Sequence, residues 1–225
     1  MPLSWVRAKE PFRFFSRLSL TIITGKKVKN VRELLDEIKQ APDGVIYQHT
    51  HRFLQEYQYW IHEPPNDFSI WVSQALKNET LGEKLSAIDT VRYRSLQDLR
   101  QALVTTLEKY FKQGGQDREA LEGEEFSLLQ TVRFSLPTTY QAQDLLEFRD
   151  ILKKISLSSL YLHVFEARLR PPLGKDDFSH WLEGELEEKG LAKQMAKLNP
   201  YTQTLEGLRQ EILAMLDRRI AEFHG

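Results

Sequence analysis

The chain repeats itself, and that limits what it can fold into. The segment NVRELLDEIKQAPDGVIYQHTHRFL begins at Asn30 and the segment DLLEFRDILKKISLSSLYLHVFEARL begins at Asp144. At an offset of 114 they share Glu33/Glu147, Asp36/Asp150, Lys39/Lys153, Tyr47/Tyr161 and His49/His163. Further on, PNDFSIWVSQAL and KDDFSHWLEGEL pair Asp67/Asp177, Phe68/Phe178, Ser69/Ser179, Trp71/Trp181 and Leu76/Leu186 at an offset of 110. A third block, at an offset of 109, pairs Leu96/Leu205, Leu99/Leu208, Arg100/Arg209 and Gln101/Gln210. Three blocks in one order imply two copies of a module of about 85 residues.

Inside each copy the apolar spacing is helical. Val31, Leu34, Leu35 and Ile38 follow the 3, 4, 7 pattern of one helix face, as do Leu145, Phe148, Leu152 and Ile155. Asn30 and Asp144 stand where N-cap residues belong. Leu96, Leu99, Leu103 and Leu107 form a last helix, mirrored by Leu205, Leu208, Ile212 and Leu216. A short β-branched or aromatic run precedes each copy, LSLTIIT in the first and TVRFSLPTTY in the second. The expected fold is therefore mainly α: two tandem helical modules, with one short strand leading into each. The expected boundaries are 1–111 for the first module with a basic N-terminal arm, 112–125 for a linker containing Gly114-Gly115, and 126–225 for the second module.

Composition removes several classes of function. With no cysteine among 225 residues, disulfide scaffolds, Cys-ligated zinc and thiol nucleophiles are excluded. No apolar run has the length of a secretory core or a membrane span, so a cytoplasmic protein with no membrane partner is expected. Residues 1–112 carry 17 basic and 13 acidic side chains, and residues 113–225 carry 14 and 19. Most of the positive excess lies in residues 1–29. It fits either two oppositely charged halves or a basic arm for nucleic acid; the net-acidic remainder favours the first. Phosphate loops, dinucleotide fingerprints and nucleophile elbows are missing, so no cofactor is expected.

The repeated polar residues are the candidates for a site. In a helix, His49 shares a face with Ile46 and Phe53, and His163 with Leu160 and Ala167. Each is either a buried imidazole bonded at both nitrogens within its module or a site residue whose charge switches near neutral pH. The spacing of His49 and His51 resembles a metal motif, but on a helix the two rings diverge, and the second copy has Phe165 in place of His51. Pro64-Pro65 after His62-Glu63 rules out a helical HExxH site, so no metal is expected. Asp67 and Asp177, with Trp71 and Trp181, read as a helix start with inward aromatics, or as acids that join the histidines in acid–base work. The first copy also has an insertion, LQEYQYWIHEPP, carrying Tyr57, Tyr59 and Trp60; its counterpart carries Arg168 and Arg170. Such aromatics either cover the core or form a partner patch or sugar-stacking platform.

The runs IYQHTHRFL, PPNDFSIWV and LGEKLSAID, followed by LYLHVFEARLR, DDFSHWL and YTQTLEGLR, resemble a prokaryotic domain family of unknown function. The resemblance spans about Phe12 to Leu216 and implies a neighbourhood of carbohydrate-related enzymes. It supplies no catalytic residue. The second copy departs from the family's NDF run, with Asp176 in place of Asn.

The expected function is a non-catalytic helical protein that binds or regulates an unknown protein or small molecule. The rival is an enzyme or small-molecule binder, carbohydrate included, with a site between the repeats built on His49, His163, Asp67 and Asp177. A third reading, nucleic-acid binding through the basic arm, is the least favoured. Oligomeric state is left open by the sequence.

Overall fold

Alternation of buried and exposed residues extends both lead-in strands well upstream of their β-branched centres. In the computed structural model, β1 spans Phe12–Val28 and β2 spans Phe126–Ala142, seventeen residues each. The structure describes residues 6–51, 66–90, 92–93, 95–169, 175–199 and 204–222. The strands form a two-stranded antiparallel sheet. Thr24 Oγ1 donates to the Leu128 carbonyl and Thr138 Oγ1 to the Phe14 carbonyl, each at 2.6 Å. Both pairs have the same sum of residue numbers, as a single antiparallel register requires.

Helices α1 (Val31–Gln40), α2 (Asp43–His51), α3 (Asp67–Gln74), α4 (Glu79–Ser86) and α5 (Leu96–Lys112) lie between the strands in sequence. After β2 come α6 (Leu145–Leu152), α7 (Leu157–Val164), a 3-10 turn (Glu166–Leu169), α8 (Asp177–Gly184), α9 (Lys189–Met195) and α10 (Leu205–Glu222). Among the described residues the chain is 55% helical and 18% strand. This corrects the expectation of a mainly α chain of tandem modules. The fold is mixed α/β, and the strands are long elements with buried ends and a largely exposed middle instead of short lead-ins.

The contacts divide the chain into two compact units. Unit 1 comprises residues 1–18 and 133–225, and unit 2 comprises residues 19–132. Each strand is thus shared, with its two halves in different units. The segment 112–125 belongs to unit 2, where the Ala120 N–H donates to the Lys29 carbonyl at 2.7 Å.

Within each unit a strand start is packed under helices. In unit 1 the Phe12 ring lies 5.5 Å from Phe148, 5.4 Å from Phe178 and 5.6 Å from Trp181. In unit 2 Phe126 lies 5.4 Å from Phe68 and 5.5 Å from Trp71. Burying one such ring stabilises by roughly 1.5–3 kcal/mol. The helix starts follow their sequence signals. Asn30 accepts the Glu33 N–H and Asp144 the Glu147 N–H, each at 2.9 Å. In return Glu33 accepts from the Lys29 N–H and Glu147 from the Gln143 N–H, each at 2.8 Å, a variant of the capping box. Leu96, Leu99, Leu103 and Leu107 on α5, and Leu208, Ile212 and Leu216 on α10, are buried as their spacing predicts.

Candidate functional site

Each unit holds a buried imidazole between a helix N-terminus and a strand. His49 is on α2 and His163 on α7, and both are 3% exposed. His49 Nδ1 lies 2.8 Å from Asp67 Oδ2, and its Nε2 lies 2.9 Å from the Leu129 backbone N. His163 Nδ1 lies 2.7 Å from Asp177 Oδ2, and its Nε2 lies 2.9 Å from the Phe15 backbone N. A backbone N–H can only donate, so Nε2 accepts and is unprotonated. Nδ1 therefore carries the hydrogen and donates to the carboxylate. Both lone positions of each ring are used, and neither imidazole presents a free nitrogen to a substrate proton or a metal ion. Each clamp ties a strand start to a helix start.

The paired Asx residues divide their work. Asn66 caps α3 by accepting the Ser69 N–H at 2.9 Å, and Asp176 caps α8 by accepting the Ser179 N–H at 2.7 Å. Asp67 and Asp177 are the first helical residues and turn to the imidazoles. Trp71 Nε1 donates to the Glu124 carbonyl at 2.7 Å, and Trp181 Nε1 to the Glu10 carbonyl at 2.9 Å. Histidine, aspartate and tryptophan of each copy therefore hold a strand and its approach in place.

Arg168 is structural as well. Asn66 Nδ2 donates to the Leu85 carbonyl at 2.9 Å in unit 2. An aspartate cannot do so, and in unit 1 Arg168 supplies the donor. Its Nη2 reaches the Met195 carbonyl at 3.4 Å, at the position matching Leu85, and lies 3.7 Å from Asp176 Oδ2. Its Nη1 donates to the Leu198 carbonyl at 3.2 Å. Burial pulls the Arg168 guanidinium below its ordinary value, and the Asp176 charge opposes that. His51 sits beside Thr50, with its Nδ1 at 2.8 Å from Thr50 Oγ1, and stacks on Tyr47 at 5.5 Å. Among the described residues no group of three or more histidines and acids gathers as a metal site. Tyr57, Tyr59, Trp60 and Arg170 lie outside the described residues.

A cleft opens beside each clamp. In unit 1 it encloses about 480 Å³ and is lined by Phe12, Phe15, Asp177, His180, Trp181 and Glu185, among others. In unit 2 it encloses about 530 Å³ against Asp67, Ile70, Trp71, Ala75, Glu124 and Phe126. Phe12, Phe126, Glu10 and Glu124 were not singled out by the sequence reading. Their signal was present: the offset of 114 that joins the histidines also joins Glu10 to Glu124 and Phe12 to Phe126.

No helix among the described residues is long and apolar enough to cross a membrane. No curated protein matches the chain. The solved structure of OrfY from Thermoproteus tenax is similar: it has a TM-score of 0.81 and 28% identity, covering 94% of this chain and 96% of that one. The model of a family of unknown function, DUF5752, matches residues 9–217, and the chain belongs to that family.

Proposed function

We propose that this chain is a non-catalytic binding protein that regulates another protein through its strands. The observation that carries this reading is the apolar surface left uncovered on the strands. In unit 2, Leu20, Ile22 and Ile23 of β1 are 51%, 47% and 78% exposed; in unit 1, Phe134 and Leu136 of β2 are 44% and 46% exposed. Exposed apolar groups of this size on strands with open edges are a recognised form of partner surface. A carbohydrate-related enzyme is the partner class that the family resemblance suggests. The rival reading, with the histidines as acid–base groups, is weakened by imidazoles whose nitrogens are both engaged. The nucleic-acid reading is weakened by the pairing of Lys26 Nζ with Glu37 at 2.7 Å and of Lys27 Nζ with Glu125 at 3.9 Å.

The test is affinity capture from an extract of the source organism, with the wild-type chain set beside a Leu20→Ser/Ile22→Ser variant and a Phe134→Ser/Leu136→Ser variant. These side chains are exposed, so the variants should keep the wild-type thermal midpoint. A partner held by the wild type and lost from at least one variant supports the reading. Identical capture by all three, or none by the wild type, defeats it.

A further inference from the structure

We propose that the cleft of unit 1 is a binding site for an organic cation, an alkylammonium or guanidinium group held between aromatic walls and the carboxylates of Glu10 and Glu185. The site is independent of the strand surface argued above.

Its volume, about 480 Å³, lies in the range of small-ligand pockets, roughly 300–1,000 Å³. Phe12, Phe15 and Trp181 contribute aromatic surface. The Trp181 N–H is committed to the Glu10 carbonyl, so a ligand in the cleft meets no indole donor, and the ring, 6% exposed, contributes only the part that lines the cleft. Three carboxylates line the cleft, from Glu10, Asp177 and Glu185, against one guanidinium, from Arg13. Asp177 is engaged by His163. Glu10 and Glu185 make no ion pair among the described residues. Aromatic faces combined with uncompensated carboxylates attract organic cations.

The comparison between units isolates what the clamp does not require. Unit 2 has the same histidine, aspartate, tryptophan and strand phenylalanine. At matching positions, however, it carries Ala75 for Glu185, Leu129 for Phe15 and Ile70 for His180. The Glu185 carboxylate and the Phe15 ring are therefore particular to unit 1, as is Arg13, which stands where unit 2 has Ser127. Glu185 also stands at the C-terminal end of α8, where the helix dipole disfavours an anion. Its Oε2 accepts the Glu10 N–H at 3.0 Å, which fixes the carboxylate at the rim.

The experiment is isothermal titration of the full chain at low salt with agmatine and with putrescine, and with glucose and inorganic phosphate as neutral and anionic probes. Two variants accompany it. Glu185→Gln removes the charge and keeps the acceptor for the Glu10 N–H, and Phe15→Leu installs the residue that unit 2 uses. Saturable binding of at least one cation is expected, weakened about tenfold by Glu185→Gln and severalfold by Phe15→Leu, with thermal midpoints retained. N-acetyl-lysine methylamide separates the sources. Affinity equal to the free amine's assigns the cation to a side chain of a protein, and much weaker affinity assigns it to a free amine; both uphold the site. The proposal is overturned if neither cation saturates by about 10 mM, if Glu185→Gln binds as the wild type does, or if glucose or phosphate binds while the cations do not.

Discussion

Phe15 and His163 are 148 positions apart, yet the backbone N–H of Phe15 donates to His163 Nε2 at 2.9 Å. The matching bond in unit 2 joins Leu129 to His49. Each histidine thus clamps the start of the strand that opens the other half of the sequence. Unit 2 is continuous in sequence, whereas unit 1 needs residues 1–18 to complete it.

This asymmetry predicts the behaviour of fragments. A fragment of residues 19–132 contains His49, Asp67, Phe126 and Leu129 and should unfold cooperatively by itself. A fragment of residues 133–225 lacks Phe12, Phe14 and the Phe15 N–H, so the rings of Phe148, Phe178 and Trp181 lose their strand neighbours. It should show no cooperative thermal transition by circular dichroism until a peptide of residues 6–18 is added. A sharp transition from 133–225 alone would refute the exchange of strands.

The clamp itself should be measurable. His49→Ala leaves the Leu129 N–H and the Asp67 carboxylate without their shared partner and opens a cavity beside Phe126. A loss of about 1–3 kcal/mol in urea unfolding is expected. His163→Ala should cost a similar amount in unit 1. A change below about 0.5 kcal/mol in both would mean that the bonds contribute nothing net.

Much of this was legible in the sequence. Asn30 and Asp144 announced their helices because capping is a local matter, settled by the first turn. The 3, 4, 7 spacing of α1 and α6 specified their buried faces for the same reason. The repeated histidine and aspartate stand out in the sequence, where their meeting reads only as acid–base chemistry, because a structural bond between residues 18 apart leaves no periodic trace. The strands were placed too short. Arg13, Arg17 and the Phe14-Phe15 pair break the β-branched pattern, and the pull that extends β1 to Phe12 comes from Phe148, Phe178 and Trp181, more than a hundred residues away. Exchange of strand halves is non-local by nature and has no signature within either copy.

The replacement of Asn66 by Asp176 between the units predicts a coupling. Asp176 is 1% exposed and has Arg168 as its neighbouring cation. Arg168→Ala should cost about 3–5 kcal/mol, because it strands a buried carboxylate. Asp176→Asn should recover a large part of that loss in the double variant, by restoring the amide donor that Asn66 uses towards Leu85. A double-mutant cycle in urea reads the coupling, and simple additivity would exclude it.

Acidification should weaken specific surface pairs. A hydrogen bond from Lys39 and its charge hold the Glu108 carboxyl below its ordinary value of 4.5, and Lys175 does the same for Glu183. The folded value is the lower one, so the stabilisation is present above the unfolded value and lost as pH falls through the folded one. The thermal midpoint should be insensitive to these pairs from neutrality down to about pH 4.5 and should decline below it. The part of the decline due to Glu108 should vanish in Lys39→Met and shrink at high salt, because the pair is exposed.

Helix α2 approaches β2 closely at Gly44. A Cβ there would lie 2.5 Å from the Thr131 carbonyl oxygen, a backbone atom that cannot swing aside. The adjacent Thr131 hydroxyl bonds to Gln48 one turn along α2, so moving β2 away from Gly44 would also strain that bond. Gly44→Ala should therefore destabilise by about 1–3 kcal/mol, as overpacking does, against the usual gain from alanine in a helix. Gly190 in α9 is the control, since a Cβ there meets nothing within 4 Å. Gly190→Ala should stabilise by about 0.5–1 kcal/mol. Opposite signs for the two substitutions in one urea series would locate the cost at the contact between α2 and β2. A gain at both positions would show that β2 does not rest on Gly44.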